Sequence, residues 1–212
     1  NLQRVGTSAP VVSQDIREVD AEAGRIIDAA RARGADVVVL SEYGITDVDR
    51  PVHLNRILRE AGYLTVRREM TGWETLDYGA SRAFAVADHQ IAHVYVQRPE
   101  DVQSVAELLR KADGVERVLD RDAQREFGID HERAGELVVV SDRRSWFTYY
   151  FWLDDAVAPD YARTVDIHRK PGYDPAELVI DPALRFPKLR IISRLLRKFA
   201  GFRYYMDVIG LD

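Results

Sequence analysis

Asp36-Val37-Val38-Val39-Leu40-Ser41-Glu42-Tyr43-Gly44-Ile45 is the stretch on which the reading of this chain turns. Val37 to Leu40 form an unbroken apolar run, the pattern of a strand buried on both faces of a parallel sheet. Polar residues follow at once. In open α/β sheets, ligands bind just past the carboxyl ends of the strands. Glu42 is therefore a candidate ligand or catalytic group, and an ordinary strand-to-loop turn with a solvated Glu is the plainer alternative.

Upstream, Ser13 can cap a helix, and Asp15 suits the positive end of its dipole. Ile16, Val19, Ala23, Ile26, Ile27 and Ala30 recur at helical spacing, and Gly34 stands where a C-cap belongs. The spacing predicts a helix over 13–33 feeding the 36–41 strand, half of a βαβ crossover. Downstream, Pro51 reads as part of a first helical turn. Leu54, Ile57, Leu58 and Ala61 make one apolar face, and Gly62 ends that helix. Residues 64–66 read as a short strand and 67–82 as a loop with room for short strands. His53 either faces the crevice beside Glu42 or is a plain polar helix-start residue.

Residues 83–141 read as a compact insert. Strands are expected at 91–96, 115–119 and 136–141, and helices at 99–111 and 120–127, giving a small sheet with helices on one side. His89 and His93 lie four apart on and beside a strand, the wrong geometry for a helical metal pair. Trp146 to Trp152 is almost wholly aromatic, which suits core packing or a pocket wall. Residues 154–182 form a long loop, and such loops in compact domains are often functional. The stretch 186–200 is an amphipathic helix with Lys188, Arg190, Arg194, Arg197 and Lys198. Packing on the sheet with the cations in water is preferred to contact with an anionic membrane surface.

The 212 residues suit one domain, or one domain with an inserted subdomain. The absence of cysteine excludes disulfides, thiolate metal sites and cysteine nucleophiles, and it fits a cytoplasmic protein. A net charge of −5 gives no basic surplus, so nucleic acid is not the expected partner.

Helix 13–33, the run ending in Ser41-Glu42-Tyr43-Gly44, and His168-Arg169-Lys170-Pro171-Gly172-Tyr173-Asp174-Pro175 occur in that order. Together they resemble the C-terminal half of an alkaline phosphatase superfamily protein of the type I phosphodiesterase/nucleotide pyrophosphatase group. The resemblance implies an α/β fold: a mostly parallel sheet flanked by helices over 1–82 and 142–212, with 83–141 as a small inserted α+β cap. It implies divalent metal ions, zinc by preference, one or two in number. Glu42 falls at the family's metal-binding Asp, Tyr43 at its metal-binding His, and His168 at its late metal His. Either Gln3 falls where an earlier metal His is expected, or the family's Asp-x-x-x-His pair is expected upstream of Asn1. Arg169 and Lys170 are candidate phosphate binders, and Asp166 is positioned to orient the His168 imidazole.

The family's hydroxyl nucleophile lies in an N-terminal half that residues 1–212 do not contain. The expected partners are that missing half and a small phosphorylated substrate, without nucleic acid or membrane. The implied function is metal-dependent hydrolysis of phosphoric esters by the full-length protein, with this chain alone inactive. Tyr43 in place of His leaves open a non-catalytic binding or scaffold protein of the same fold.

Overall fold

The computed structural model describes residues 2–41, 44–159, 162 and 184–200. They form two compact units, Asn1–Asp47 and Val48–Asp212. The class is α/β, and no described helix is long and apolar enough to cross a membrane.

In the first unit, α1 (Leu2–Val5) turns at Gly6 into α2 (Pro10–Arg31). Pro10 opens α2 in place of the expected Ser13 cap, since a first-turn residue has no need of its N–H. Gly34 follows α2 with φ +75°, as its C-cap role requires. Asp47 closes the unit by accepting from the Thr7 amide at 3.0 Å and the Thr7 hydroxyl at 3.2 Å.

The expected central parallel strand does not form. Residues 36–41 are not a strand, and Val38, Val39 and Leu40 are 82%, 78% and 79% exposed. Ile16, Val19 and Ile26 of α2 are likewise exposed. A parallel strand exists only when neighbours satisfy its backbone and layers cover its faces. None of the described strands pairs with this run.

The second unit begins with β1 (Arg50–Val52), which pairs in parallel with β8 (Ser145–Phe147). Pro51 therefore lies in a strand and not in a helical turn. A two-stranded edge tolerates its missing N–H. Helix α3 (Leu54–Glu60) follows directly, with His53 as its N-cap. The short strands allowed for in the following loop form a hairpin, β2 (Val66–Arg68) with β3 (Glu74–Leu76).

Four antiparallel strands make the main sheet, in the order β4 (Ala83–Asp88), β5 (Ile91–Val96), β7 (Leu137–Ser141), β6 (Val115–Leu119). Helices α4 (Val102–Arg110) and α5 (Arg121–Glu126) lie between strands in sequence. Asp120 caps α5 by accepting from the Ala123 amide at 3.0 Å. Strand β4 escapes the sequence pattern because its inward residues, Ala83 and Ala85, are smaller than its outward Phe84 and Val86.

Those small inward residues let α3 lie close against β4. Leu54 and Leu58 of α3, Val105 and Leu109 of α4, Leu137 and Val139 of β7, and Phe147, Phe151 and Trp152 form one buried core. The sheet of 83–141 thus shares its core with the residues on either side. Asn55 of α3 is buried and faces the free edge of β4. Its amide donates to the Ala85 carbonyl at 2.9 Å and accepts from the Ala85 N–H at 2.7 Å. One side chain does there what a fifth strand would otherwise do.

Candidate functional site

Glu42, Tyr43, Asp166, His168, Arg169 and Lys170 lie outside the described residues. Gln3 is in α1, but its side chain is likewise outside the description. The structure therefore neither joins these residues nor separates them. Among the described residues there is no group of three or more His, Cys, Asp or Glu able to hold a metal ion.

What the structure does show is a polar and aromatic cluster between α3 and residues 148–155, the stretch that precedes Asp166 to Lys170 in sequence. His53 sits at the N-cap of α3, and its Nδ1 lies 2.8 Å from the Thr148 hydroxyl. Its ring stacks on Tyr150, with centroids 5.4 Å apart and planes 8° from parallel. One turn along the helix, the Arg56 Nε donates to the Trp152 carbonyl at 2.6 Å and its Nη2 to Asp155 at 3.1 Å. The same guanidinium lies over the rings of Tyr150 and Trp152, an attraction between cation and π face. The Trp152 indole N–H donates to the same Asp155 oxygen at 2.7 Å.

Arg59 completes the array. It holds Glu74 of β3 bidentately at 2.5 and 2.9 Å and also donates to the Phe151 carbonyl at 3.2 Å. The spacing of His53, Arg56 and Arg59 puts three side chains on one face along the whole length of α3, where they hold Thr148, Phe151, Trp152 and Asp155. Sequence reasoning noticed His53 and missed Arg56, Arg59, Thr148 and Asp155. The i, i+3, i+6 repeat of His and Arg was the available signal.

Burial is the main cause that lowers the His53 pKa from its ordinary value. Arg56 lowers it further, and Asp155 opposes both. The imidazole is therefore neutral near pH 7 and held by Thr148. Its folded pKa lies below its unfolded value, so the unfolded chain binds the extra proton first. The stability this adds is fully present above about pH 6.5 and is lost as pH falls towards the folded pKa. Between about pH 7.5 and pH 5.5 the urea midpoint of the wild type should fall further than that of His53→Gln. Equal falls in the two proteins would exclude a neutral, desolvated His53.

Arg59→Met tests the neighbouring grip. Arg59 and Glu74 side chains are 18% and 13% exposed, so removing the cation leaves a largely buried carboxylate unpaired. Full burial would cost about 3–5 kcal/mol, and the residual exposure reduces the expected loss to about 2 kcal/mol. Denaturant unfolding reads it directly. Adding Glu74→Gln to Arg59→Met should recover part of the loss, and a double variant no better than the single would contradict the pairing.

The comparison of sequences is specific about the class. The profile of the type I phosphodiesterase / nucleotide pyrophosphatase family matches residues 2–174, and the chain belongs to that family. The family is one of phosphoric-ester hydrolases, and the matched span takes in both Glu42-Tyr43 and His168 to Asp174. No curated protein matches the chain. Among solved structures it is similar to phosphonoacetate hydrolase from Sinorhizobium meliloti 1021, determined in complex with phosphonoacetate. The identity is 18% and the TM-score 0.33, and the likeness covers 48% of this chain and 24% of that one.

Proposed function

We propose that the full-length protein is a metal-dependent phosphoric-ester hydrolase to which this chain contributes metal-binding and phosphate-binding residues. The observation that carries the reading is the family match over residues 2–174, which includes both candidate motifs. A divalent metal, when bound, would polarise a phosphoryl oxygen as a Lewis acid. Glu42 and His168 are the residues of this chain that would hold it. A carboxylate oxygen and an imidazole nitrogen are a donor set suited to zinc-like ions.

Arg169 and Lys170 would pair with the phosphate, Arg169 by a bidentate fork and Lys170 as a point charge. Asp166 would accept from the imidazole N–H of His168 and fix its orientation. The hydroxyl nucleophile is assigned to a segment outside residues 1–212. Helix α3 has a supporting part. Its grip on residues 148–155 holds the chain that leads to His168, so the approach to that residue starts from a rigid base.

The Glu42-Tyr43 pair favours a second reading. Tyr43 is a much poorer ligand than His, since an ordinary tyrosine phenol ionises only near about pH 10. A binding or scaffold protein of the same fold follows if that loss empties the metal site. Metal analysis and hydrolysis of a nitrophenyl phosphodiester by the full-length protein separate the two. The hydrolase reading expects bound metal and turnover, with His168→Ala lowering both, turnover by on the order of a hundredfold or more. Full-length protein without metal or turnover supports the scaffold. Unchanged metal and turnover in His168→Ala would remove His168 from the site.

A further inference from the structure

The four-stranded sheet has two faces, and the buried core uses one of them. Ala83 and Ala85 of β4, Ala92 and Val94 of β5, and Leu137 and Val139 of β7 are buried with the side chains of α3 and α4. The register puts the alternate residues on the other face, in rows that cross all four strands. One row reads Asp88, Ile91, Val140, Arg117, and the next reads Val86, His93, Val138, Leu119. Beyond them Phe84 stacks on Tyr95, with ring centroids 5.4 Å apart.

Much of this outer face meets water. Val86 and Ile91 are 49% and 40% exposed, and the side chains of Asp88 and Arg117 are 83% and 55% exposed. Val138 is buried and Leu119 half-buried, so the open part follows the first row and the β4 side. Arg117 reaches this face through an irregularity of the chain. Val115 pairs with Ser141 and Arg117 with the adjoining Val140, so Glu116 is an extra residue, a β-bulge. In a regular strand Arg117 would share the core face with Val115. With the bulge, Val115 and Val118 both pack against the core and Arg117 stands on the opposite face.

The first row is complementary to itself. Three inter-strand steps of about 4.8 Å set its acid and its cation about 14 Å apart, with Ile91 and Val140 between them. A second copy, turned face to face about an axis parallel to the strands, lays Asp88 over Arg117, Ile91 over Val140, Val140 over Ile91 and Arg117 over Asp88. We propose that two copies of this chain associate through this face about that two-fold axis, sheet on sheet. Such a contact needs one patch that matches itself after rotation, and this row does so in charge and in hydrophobicity together. Packed sheets lie about 10 Å apart, a gap that an Asp and an Arg reaching from opposite sides can close. Asp88 and Arg117 lie 3.6 Å from their sequence neighbours His89 and Glu116. Such exposed pairs contribute little, so little is lost when a pair across the dimer replaces them. A segment of a longer protein would have to present a cation and an acid at the same separation and in the reverse order. The chain itself already carries that match.

Sedimentation velocity on purified residues 1–212 and on the full-length protein is the test. Both should form a dimer with a Kd of about 10 μM. Asp88→Arg sets cation against cation at both ends of the row, and Arg117→Asp sets acid against acid. Each single variant should dimerise about tenfold more weakly or worse. The double swap should recover the wild-type affinity. An equimolar mixture of the two single variants should dimerise as well, because each cation of one copy then meets an acid of the other. Both positions are exposed, so all the variants should melt with the wild type.

A wild type that stays monomeric at about 100 μM would overturn the proposal. So would a dimer indifferent to both single changes, or a double swap and a mixture that both stay monomeric. A dimer of residues 1–212 that is absent from the full-length protein would equally overturn it, and would mark this face as one covered by the rest of that protein.

Discussion

Trp152→Ala should destabilise the chain by about 4 kcal/mol, at the upper end of what one core substitution does. Trp152 is fully buried and packs against Tyr150 and Phe151, with ring centroids 4.5 and 5.3 Å away. Truncation removes the largest buried side chain of the core and leaves a cavity that the surrounding helices and strands cannot collapse to fill. It also takes the indole donor from Asp155 and one of the two rings under Arg56. The effect reaches past stability, because the same cluster holds residues 148–155. Trp152→Phe preserves most of the volume and should cost about 1–2 kcal/mol. Urea unfolding of residues 1–212 measures both. A loss under about 1.5 kcal/mol for the alanine variant would show that Trp152 is not the keystone of this core.

Asn55→Leu is the second large effect, with an expected loss of about 3–4 kcal/mol. Leucine fills nearly the same volume, so packing changes little. What changes is the hydrogen bonding of Ala85. Its N–H and C=O both pair with the Asn55 amide inside a buried environment. Each orphaned group costs about 1–3 kcal/mol when water cannot replace its partner. Asn55→Ala leaves space in which water can reach Ala85, and it should be milder for that reason. If the leucine variant were the more stable of the two, the edge of β4 would have to be accessible to solvent.

Stability and function both draw on α3. His53, Arg56 and Arg59 grip residues 148–155, whose sequence continues into the candidate metal and phosphate residues of the family match. Destabilising that grip without unfolding the core, as His53→Gln and Arg59→Met are designed to do, is the way to ask whether it matters to catalysis in the full-length protein. A helix that positions the chain leading to His168 would change turnover more than it changes metal content.

The sequence by itself determined much of the local structure. Residues 91–96 and 115–119 are strands with the expected bounds, and 187–199 is the expected helix. Gly34 and Gly62 both adopt positive φ after helices α2 and α3, as predicted for residues that end a helix. These features rest on periodicity and on backbone preferences that a residue carries wherever it goes. The order of the motifs was legible as well, and with it the family.

Tertiary structure decided the rest. Val37 to Leu40 has the composition of a buried strand yet stands exposed. Composition states that a run would gain from burial, and only pairing and covering layers deliver that burial. Strand β4 reads backwards because its packing against α3 selects small residues on the inner side. The pairing of β1 with β8, the Asn55 bond to Ala85 and the Arg56 and Arg59 bonds to residues 151–155 join positions 30 to 99 residues apart. Spacing in sequence carries no record of such contacts. They arise when a helix and a strand settle at one distance, and hydrogen bonds then form between whichever groups that distance brings together.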